Sequence, residues 1–219
     1  MKKLFLLATF AIHSFSLILA LEQSIKQTQS SAPSKRYNLF FIGESCAGKT
    51  TLMQHLCLLS DKFFIPKFTT TRAQRLDDDP SLFEFVTVEQ YLKSRAAREF
   101  IFEIDDNITY YGYKKNNWHS CNKHALLYGS PYCIEQSKKI ENALLILIEA
   151  DKEKGFAARQ DPSEIQEKRR KINKQFSEQF FKNNDFRQKM DFIHYNTFGD
   201  PTASADQLLH ALQEQFLYN

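Results

Sequence analysis

The chain has 219 residues, which is enough for one domain with a sizeable hydrophobic core. Its formal net charge is +3, and two of the three charges come from the N-terminal pair Lys2-Lys3. The remainder is close to neutral, so charge gives no case for nucleic-acid binding. The four cysteines include no C-x-x-C pair, which argues against a zinc site, and we expect free thiols rather than disulfides.

The N-terminal segment, residues 1–21, resembles a secretory signal peptide or an uncleaved membrane anchor. The pair Lys2-Lys3 is a basic start, and residues 4–21 are apolar except for four polar side chains. We therefore expect export or anchoring, with any membrane contact confined to residues 4–21. The alternative is a cytoplasmic protein with an apolar N-terminal helix. Residues 22–36 are polar and are interpreted as a flexible linker to a domain over residues 37–219.

A phosphate-binding motif follows the first strand of this domain. The run fits G-x-x-x-x-G-K-[ST] and consists of Gly43, Glu44, Ser45, Cys46, Ala47, Gly48, Lys49 and Thr50. It stands between an apolar β-type run and a helical run, the context that this motif requires. The glycines let backbone N–H groups turn toward phosphate oxygens, and the helix N-terminus adds positive charge.

The same motif predicts that the loop binds the phosphates of a nucleotide together with Mg²⁺. In such loops the lysine, here Lys49, reaches the β- and γ-phosphates, and the hydroxyl of the next residue, here Thr50, ligates the metal. We expect Thr51 to extend the nucleotide contact into the helix.

The rest of the chain alternates between strands and helices, which predicts an α/β fold with a mainly parallel sheet. The block from about 72 to 115 is rich in β-type runs and is interpreted as a small insertion. Strands are predicted at 37–42, 67–71, 82–88, 100–104, 109–113, 125–128, 143–148 and 192–195, and helices at 51–59, 89–98, 132–139, 161–181 and 204–217. The 143–148 run is wholly apolar, as expected of a buried central strand.

Three further features are candidates for a site that binds a phosphorylated acceptor, and a fourth is a candidate for a lid over the nucleotide. Arg72 and Arg75 stand at a strand-to-loop junction and are suited to bidentate phosphate binding, although a pair of surface arginines is the alternative. Glu103 is a polar residue in an otherwise buried strand, placed either to bind an acceptor or to face solvent. Tyr111, in a Tyr-Tyr-Gly run, is suited either to ligand contact or to packing. A basic cluster around Arg159 is either a lid over a triphosphate or a solvated face.

The order of these pieces resembles guanylate kinase over about residues 37–216. The matching motifs are the phosphate loop, T-T-R-x-x-R, F-V-[ST], F-[IL]-x-E, Y-Y-G, a lid arginine and a last strand ending in Asn. The resemblance implies a P-loop NTPase core with a parallel sheet, a small β-rich acceptor-binding insertion and a helical lid at about 152–185. It also implies ATP- and Mg²⁺-dependent phosphoryl transfer to GMP.

The resemblance also implies roles for individual residues. Lys49, Arg159 and either Lys168 or Arg169 would stabilise the transferring group, and Asn196 would lie at the nucleotide. The implied acceptor residues are Arg72 and Arg75 at the phosphate, Glu103 at the guanine edge, and Tyr111.

The chain departs from the guanylate kinase pattern at three places. Leu127-Tyr128-Gly129-Ser130 replaces an acidic L-D-I-D strand end, Phe83 replaces an acceptor-phosphate tyrosine, and Tyr113 replaces a serine or threonine. Gly129-Ser130 is similar to the N-G-S of ribose 1,5-bisphosphate phosphokinase, which makes Ser130 an acceptor candidate and leaves two acceptors open, GMP and a ribose bisphosphate. A further alternative is a guanylate kinase-like module that binds nucleotide or a partner without catalysis.

Overall fold

The buried strand that precedes the phosphate loop lies at the centre of the domain. The computed structural model describes residues 35–75, 78–105, 109–118, 122–157 and 163–217. The expected N-terminal signal or anchor and most of the linker lie outside the described residues, as does the predicted helix start at Asp161-Pro162. Among the described residues, no helix is long and apolar enough to cross a membrane.

The main sheet has five parallel strands in the order β2-β7-β1-β8-β9. These strands are β1 (Asn38–Ile42), β2 (Phe63–Phe64), β7 (His124–Tyr128), β8 (Ala143–Ala150) and β9 (Phe192–Asn196). All five residues of β1 are buried, because the strand is covered on both faces. Its run of apolar residues from Leu39 to Ile42 is typical of such parallel strands. The carboxyl ends of β1, β7 and β8 meet at one edge of the sheet, where open α/β sheets bind their ligands.

The insertion forms a second sheet of four strands in the order β4-β3-β6-β5. Its strands are β3 (Phe68–Thr70), β4 (Phe83–Phe85), β5 (Phe100–Asp105) and β6 (Tyr110–Lys114). β3 pairs in parallel with β4 and antiparallel with β6, which in turn pairs antiparallel with β5. The register sets Glu103 opposite Gly112 and Ile104 opposite Tyr111, so these two pairs lie on opposite faces of the sheet.

Eight α-helices lie in the described part of the chain. They are α1 (Lys49–Leu59), α2 (Val88–Ala96), α3 (Lys115–Trp118), α4 (Ile134–Ser137), α5 (Lys152–Ala157), α6 (Ser163–Phe176), α7 (Asn184–Arg187) and α8 (Pro201–Leu212). A 3₁₀ turn (Pro131–Cys133) precedes α4, and π-helical turns follow α6 (Ser177–Phe181) and α8 (Gln213–Leu217). Asp200 caps the N-terminus of α8: its carboxylate accepts the Ala203 N–H, and proline occupies the first helical position.

The period of two along β1 divides the core into two layers. Leu39 and Phe41 face the first layer, where apolar side chains of α1 and α8 cover the sheet. Phe40 and Ile42 face the second layer, which joins the main sheet to the insertion through Phe102. The rings of Phe40 and Phe102 lie 5.0 Å apart between centroids. This packing fixes the insertion beside the carboxyl edge of the main sheet.

The predicted fold class is confirmed: the chain has a parallel sheet with covering helices and a separate β-rich insertion. The helix predicted to run to residue 181 ends as an α-helix at Phe176 and continues as a π-helical turn. The closing helix begins at Pro201, three residues earlier than predicted.

Candidate functional site

The phosphate loop connects β1 to α1 in a conformation that requires glycine at one position. Gly48 has φ +80°, and a Cβ added there would lie 2.3 Å from Nδ2 of Asn196. Among the described residues, no side chain caps the N-terminus of α1 and no acidic residue lies in its first turn. The first N–H groups of this helix therefore suit an anion, as the motif predicts.

A chain of buried hydrogen bonds supports the loop from the last strand. Asn196 Nδ2 donates to the Ala47 carbonyl at 2.9 Å, and Ser204 Oγ donates to Asn196 Oδ1 at 2.8 Å. His194 Nε2 lies 3.0 Å from Ser204 Oγ, and burial lowers the pKa of His194. Because Ser204 uses its own proton on Asn196, the neutral His194 ring donates through Nε2. The network fixes the Asn196 amide under the loop.

Lys49 and Thr50 contact other groups of the site. Lys49 Nζ donates to the Gly43 carbonyl at 2.9 Å and to the Glu44 carbonyl at 2.7 Å, so the amine lies over the start of the loop. The Tyr128 phenol donates to Thr50 Oγ1 at 3.2 Å. Burial raises the pKa of Tyr128 to about 12, so this phenol keeps its proton at neutral pH.

The fit of the site to Mg²⁺ rests on Thr50. P-loop enzymes hold this ion with the loop hydroxyl and a carboxylate on a neighbouring strand, and here Tyr128 stands beside that hydroxyl instead. The described residues contain no cluster of three or more His, Cys, Asp or Glu side chains suited to a metal ion. Thr50 can supply one oxygen ligand, and phosphate oxygens and water would have to supply most of the others, a common arrangement for Mg²⁺.

A fixed guanidinium group, that of Arg72, lies where the sequence predicts an acceptor site. Arg72 donates to both carboxylate oxygens of Asp78, each at 2.6 Å, and lies over the rings of Phe83 and Phe85 at 5.0 and 5.1 Å. The Arg75 backbone N–H also donates to Asp78, at 2.6 Å. Burial alone would raise the pKa of Asp78, but these hydrogen bonds and the arginine charges outweigh it, and the pKa lies below its ordinary value. Asp78 thus orients Arg72 and offsets part of its charge.

Stacked aromatic rings form a wall between Arg72 and the phosphate loop. The Tyr128 ring stacks on Phe68 at 5.3 Å and on Phe83 at 5.9 Å between centroids. Tyr111 stacks on the same Phe68 at 5.6 Å. This wall gives the site a planar apolar surface next to Arg72.

Glu103 lies on the other face of its strand. Its Oε1 accepts hydrogen bonds from Arg95 Nε at 2.7 Å and from the Tyr91 phenol at 3.2 Å, and both partners belong to α2. The neighbouring Ile104 lines a cleft that the phosphate loop also lines, whereas Glu103 is not among the described residues that line this cleft. A contact between Glu103 and a guanine edge stays a prediction that this geometry does not favour.

One cleft of about 710 Å³ brings most of the predicted residues together. The predicted residues that line it are Gly43, Ser45, Cys46, Ala47, Gly48, Lys49, Thr50, Thr51, Arg72, Arg75, Tyr111, Ser130 and Asn196. Glu44 instead lines a smaller neighbouring cavity of about 310 Å³. Arg159 lies outside the described residues, and the side chain of Arg169 is likewise not described.

The structure also places residues at the loop that sequence reasoning missed. Asn173 of α6 forms two hydrogen bonds with the backbone of Ser45. Gly155 of α5 lies so near the loop that an added Cβ would be 2.4 Å from the Cys46 carbonyl oxygen. The scarcity of glycine in the chain could have drawn attention to Gly155, whereas an asparagine in a polar helix carries no such signal.

Comparison with known proteins identifies the fold. No protein-family model matches the sequence, and no curated protein gives a significant match. Among solved structures, guanylate kinase from Anaplasma phagocytophilum is 18% identical, with a TM-score of 0.59 over 84% of this chain and 88% of that one. The chain has a guanylate kinase-like P-loop kinase fold.

A second structural match is more distant. Shikimate kinase from Acinetobacter baumannii, solved in complex with shikimate, is 13% identical, with a TM-score of 0.44 over 84% of this chain and 97% of that one. The fold assignment rests on the guanylate kinase match and on the strand–loop–helix at residues 38–59.

Proposed function

We propose that the protein is an ATP- and Mg²⁺-dependent phosphotransferase that moves the γ-phosphoryl group to a small phosphorylated acceptor. GMP is the acceptor that the sequence resemblance favours. The observation that carries the proposal is the shared cleft, in which Lys49 and Thr50 of the phosphate loop and Arg72 and Arg75 of the insertion all take part. A kinase with a phosphorylated acceptor needs two phosphate-binding groups facing one space.

Different residues of the cleft would bind the donor phosphates and the acceptor phosphate. The backbone of the loop, the N-terminus of α1 and Lys49 would bind the donor phosphates, and Arg72, oriented by Asp78, would bind the acceptor phosphate. When bound, ATP supplies the phosphoryl group and Mg²⁺ neutralises part of its charge. The chain need not supply a general base, because a phosphate oxygen of the acceptor is already ionised. Arg159 and Arg169 remain candidates for the lid.

A ribose bisphosphate is the second candidate acceptor. It is favoured by the position of Glu103, whose carboxylate binds Arg95 and Tyr91 and does not line the cleft. Among the described residues, the cleft-facing positions of β5 and β6 are Ile104 and Tyr111, which provide no carboxylate for the donor edge of a guanine. The hydroxyl groups of Tyr111 and Ser130 and the apolar ring of Phe68 suit a sugar phosphate, whose hydroxyls and C–H face need such partners.

The test is an ADP-release assay on the full chain with ATP and Mg²⁺. The acceptors are GMP, dGMP, AMP, UMP and ribose 1,5-bisphosphate, and Lys49→Ala is the control for phosphate-loop chemistry. Turnover with one acceptor that Lys49→Ala abolishes supports the proposal. Arg72→Ala should then raise the KM for that acceptor about 10- to 100-fold and leave the KM for ATP nearly unchanged, because a charge-assisted hydrogen bond contributes about 1.5–3 kcal/mol.

Glu103→Gln tests whether Glu103 contacts the acceptor. If GMP is the acceptor and Glu103 meets the guanine, this variant should raise the KM for GMP strongly. An unchanged KM would show that Glu103 serves its contacts with Arg95 and Tyr91 rather than the acceptor. If no acceptor causes ADP release while ADP still binds, the result would contradict the kinase proposal. It would support a module that binds nucleotide without catalysis.

We also propose that residues 1–21 direct export or anchor the protein. The basic pair Lys2-Lys3 followed by an apolar run supports this proposal. Expression of the full chain, followed by cell fractionation and N-terminal sequencing, tests it. A shortened N-terminus or a membrane-bound full chain is expected, and a full-length protein in the cytoplasmic fraction would contradict it.

A further inference from the structure

One side chain of α6 differs from its neighbours in burial. Among the side chains of this helix that the structure describes, Asn173 is 2% exposed, whereas Lys171, Lys174 and Gln175 are exposed to solvent. A polar amide is buried at a cost of about 1–3 kcal/mol unless hydrogen bonds compensate it. Its partners therefore indicate why the helix turns this residue inward.

Both partners of the Asn173 amide belong to one residue of the phosphate loop. The Ser45 backbone N–H donates to Asn173 Oδ1 at 3.0 Å, and Asn173 Nδ2 donates to the Ser45 carbonyl at 2.9 Å. The amide thus pairs with Ser45 much as a neighbouring strand would. We call this pair of hydrogen bonds the Ser45–Asn173 clamp. Only a side chain with a donor and an acceptor side by side can form it.

The clamp holds the part of the loop over which the Lys49 amine folds. Lys49 Nζ binds the carbonyls of Gly43 and Glu44, the two residues before Ser45. The first three residues of the loop are therefore fixed from two elements, α1 through Lys49 and α6 through Asn173. A change in the position of α6 must either break the clamp or move this backbone.

The same helix reaches the acceptor side of the cleft at its C-terminal end. The ring of Phe176 lies 5.4 Å from the ring of Tyr132, measured between centroids. Tyr132 follows Ser130 by two residues, and all three residues line the cleft. α6 therefore contacts the donor loop three residues before it contacts the acceptor side.

We propose that Asn173 is a positioning residue that links the phosphate loop to α6, so that a ligand which orders the loop also orders this helix and the acceptor side that it contacts. The linkage of the two sites rests on the proposed function, because it needs a nucleotide at the loop. The Ser45–Asn173 clamp itself does not depend on the proposed function, because its two hydrogen bonds form in the protein without a nucleotide. Reciprocal linkage of this kind is a coupling free energy between two sites.

Hydrogen exchange on the full chain tests the proposal, with Mg²⁺ and ADP as the probe. Asn173→Ala should speed amide exchange in the free protein at both 43–50 and 163–176 by about 5- to 30-fold, the effect of losing one to two hydrogen bonds. In the wild type, ADP should slow exchange at both segments. In Asn173→Ala, ADP should slow exchange at the loop alone. Gln175→Ala, which removes an exposed amide from the same helix, should behave as the wild type.

A change of Asn173 to aspartate gives a readout that a merely structural role would not move. A protonated carboxyl group keeps a donor and an acceptor side by side, whereas an ionised one only accepts and repels the Ser45 carbonyl. The Kd of Asn173→Asp for ADP, divided by the wild-type Kd at the same pH, should therefore rise by about 5- to 30-fold as that carboxyl group ionises between roughly pH 4.5 and 7.5. A ratio that stays constant would overturn the proposal.

The outcomes also separate this proposal from the proposed function. If the wild type does not bind ADP, the proposed function fails, and the exchange rates of the free protein still decide the clamp. If ADP binds and Asn173→Ala leaves both the free-state exchange and the protection of 163–176 unchanged, the clamp proposal is wrong while the proposed function stands.

Discussion

Replacement of Gly48 by alanine should destabilise the protein through two separable costs. A left-handed φ, here +80°, costs an L-residue about 1–2 kcal/mol. The new Cβ would also lie 2.3 Å from Asn196 Nδ2 and must displace the amide from the Ala47 carbonyl. Loss of this buried hydrogen bond adds about 1–3 kcal/mol. Alanine also lowers the conformational entropy of the unfolded chain, which stabilises the folded protein by about 0.4–1 kcal/mol. We therefore expect a net loss of about 1–5 kcal/mol.

Urea denaturation of the full chain measures this loss as a free energy of unfolding. Gly199→Ala is the matched control, because Gly199 has φ +112° and nothing within 4 Å of an added Cβ, so it carries the backbone cost alone. Asn196→Ala removes the amide that the Cβ strikes. The double variant Gly48→Ala/Asn196→Ala should therefore lose at least about 1 kcal/mol less than the sum of the two single variants.

In the double variant Gly199→Ala/Asn196→Ala, the losses in free energy of unfolding should add within about 0.5 kcal/mol, because a Cβ added at Gly199 has no atom within 4 Å. Additive losses for Gly48 and Asn196 would refute the proposed contact between them. A change below about 0.5 kcal/mol for Gly48→Ala would refute the loop geometry as a whole.

Two further predictions concern Asp78 and Tyr128. Asp78→Asn should lower the free energy of unfolding by about 2 kcal/mol at neutral pH, because the charged Arg72 loses a charge-assisted hydrogen bond. Folding lowers the pKa of Asp78, so its contribution is present above the unfolded pKa and is lost as the pH falls through the folded pKa. In urea titrations the free energies of unfolding of wild type and variant should therefore begin to converge below about pH 4 and become equal only below the folded pKa. Tyr128→Phe keeps the ring stack and removes the hydrogen bond to Thr50, so thermal denaturation should report a loss of only about 1 kcal/mol. A loss above about 3 kcal/mol would contradict that assignment.

The sequence was sufficient for the phosphate loop because its geometry is local. Two glycines at fixed spacing, an apolar strand before them and a helix after them predict the turn from neighbouring residues alone, although Asn173 and Asn196 also hold it in the folded protein. The apolar run at 143–148 predicted a central strand for a similar reason. That strand extends to Ala150 because β9 pairs with it as far as Asn196.

The sequence was not sufficient where distant residues decide the outcome. Alternation along β5 shows that Glu103 and Ile104 face opposite ways, but it does not show which of them faces the cleft. That depends on α2, where Arg95 and Tyr91 bind the carboxylate of Glu103. Asn173 finds its partner 128 residues away, so no local pattern could have predicted the clamp.

The binding of Mg²⁺ and ADP to the full chain, measured by isothermal titration calorimetry, tests most directly whether residues 43–51 form a nucleotide site. We expect saturable binding of one ADP per chain. Lys49→Ala should weaken it about 10- to 100-fold, because the lysine contributes a charge-assisted hydrogen bond. An absence of saturable heat in the wild type, or equal affinity in Lys49→Ala, would contradict the assignment of the loop.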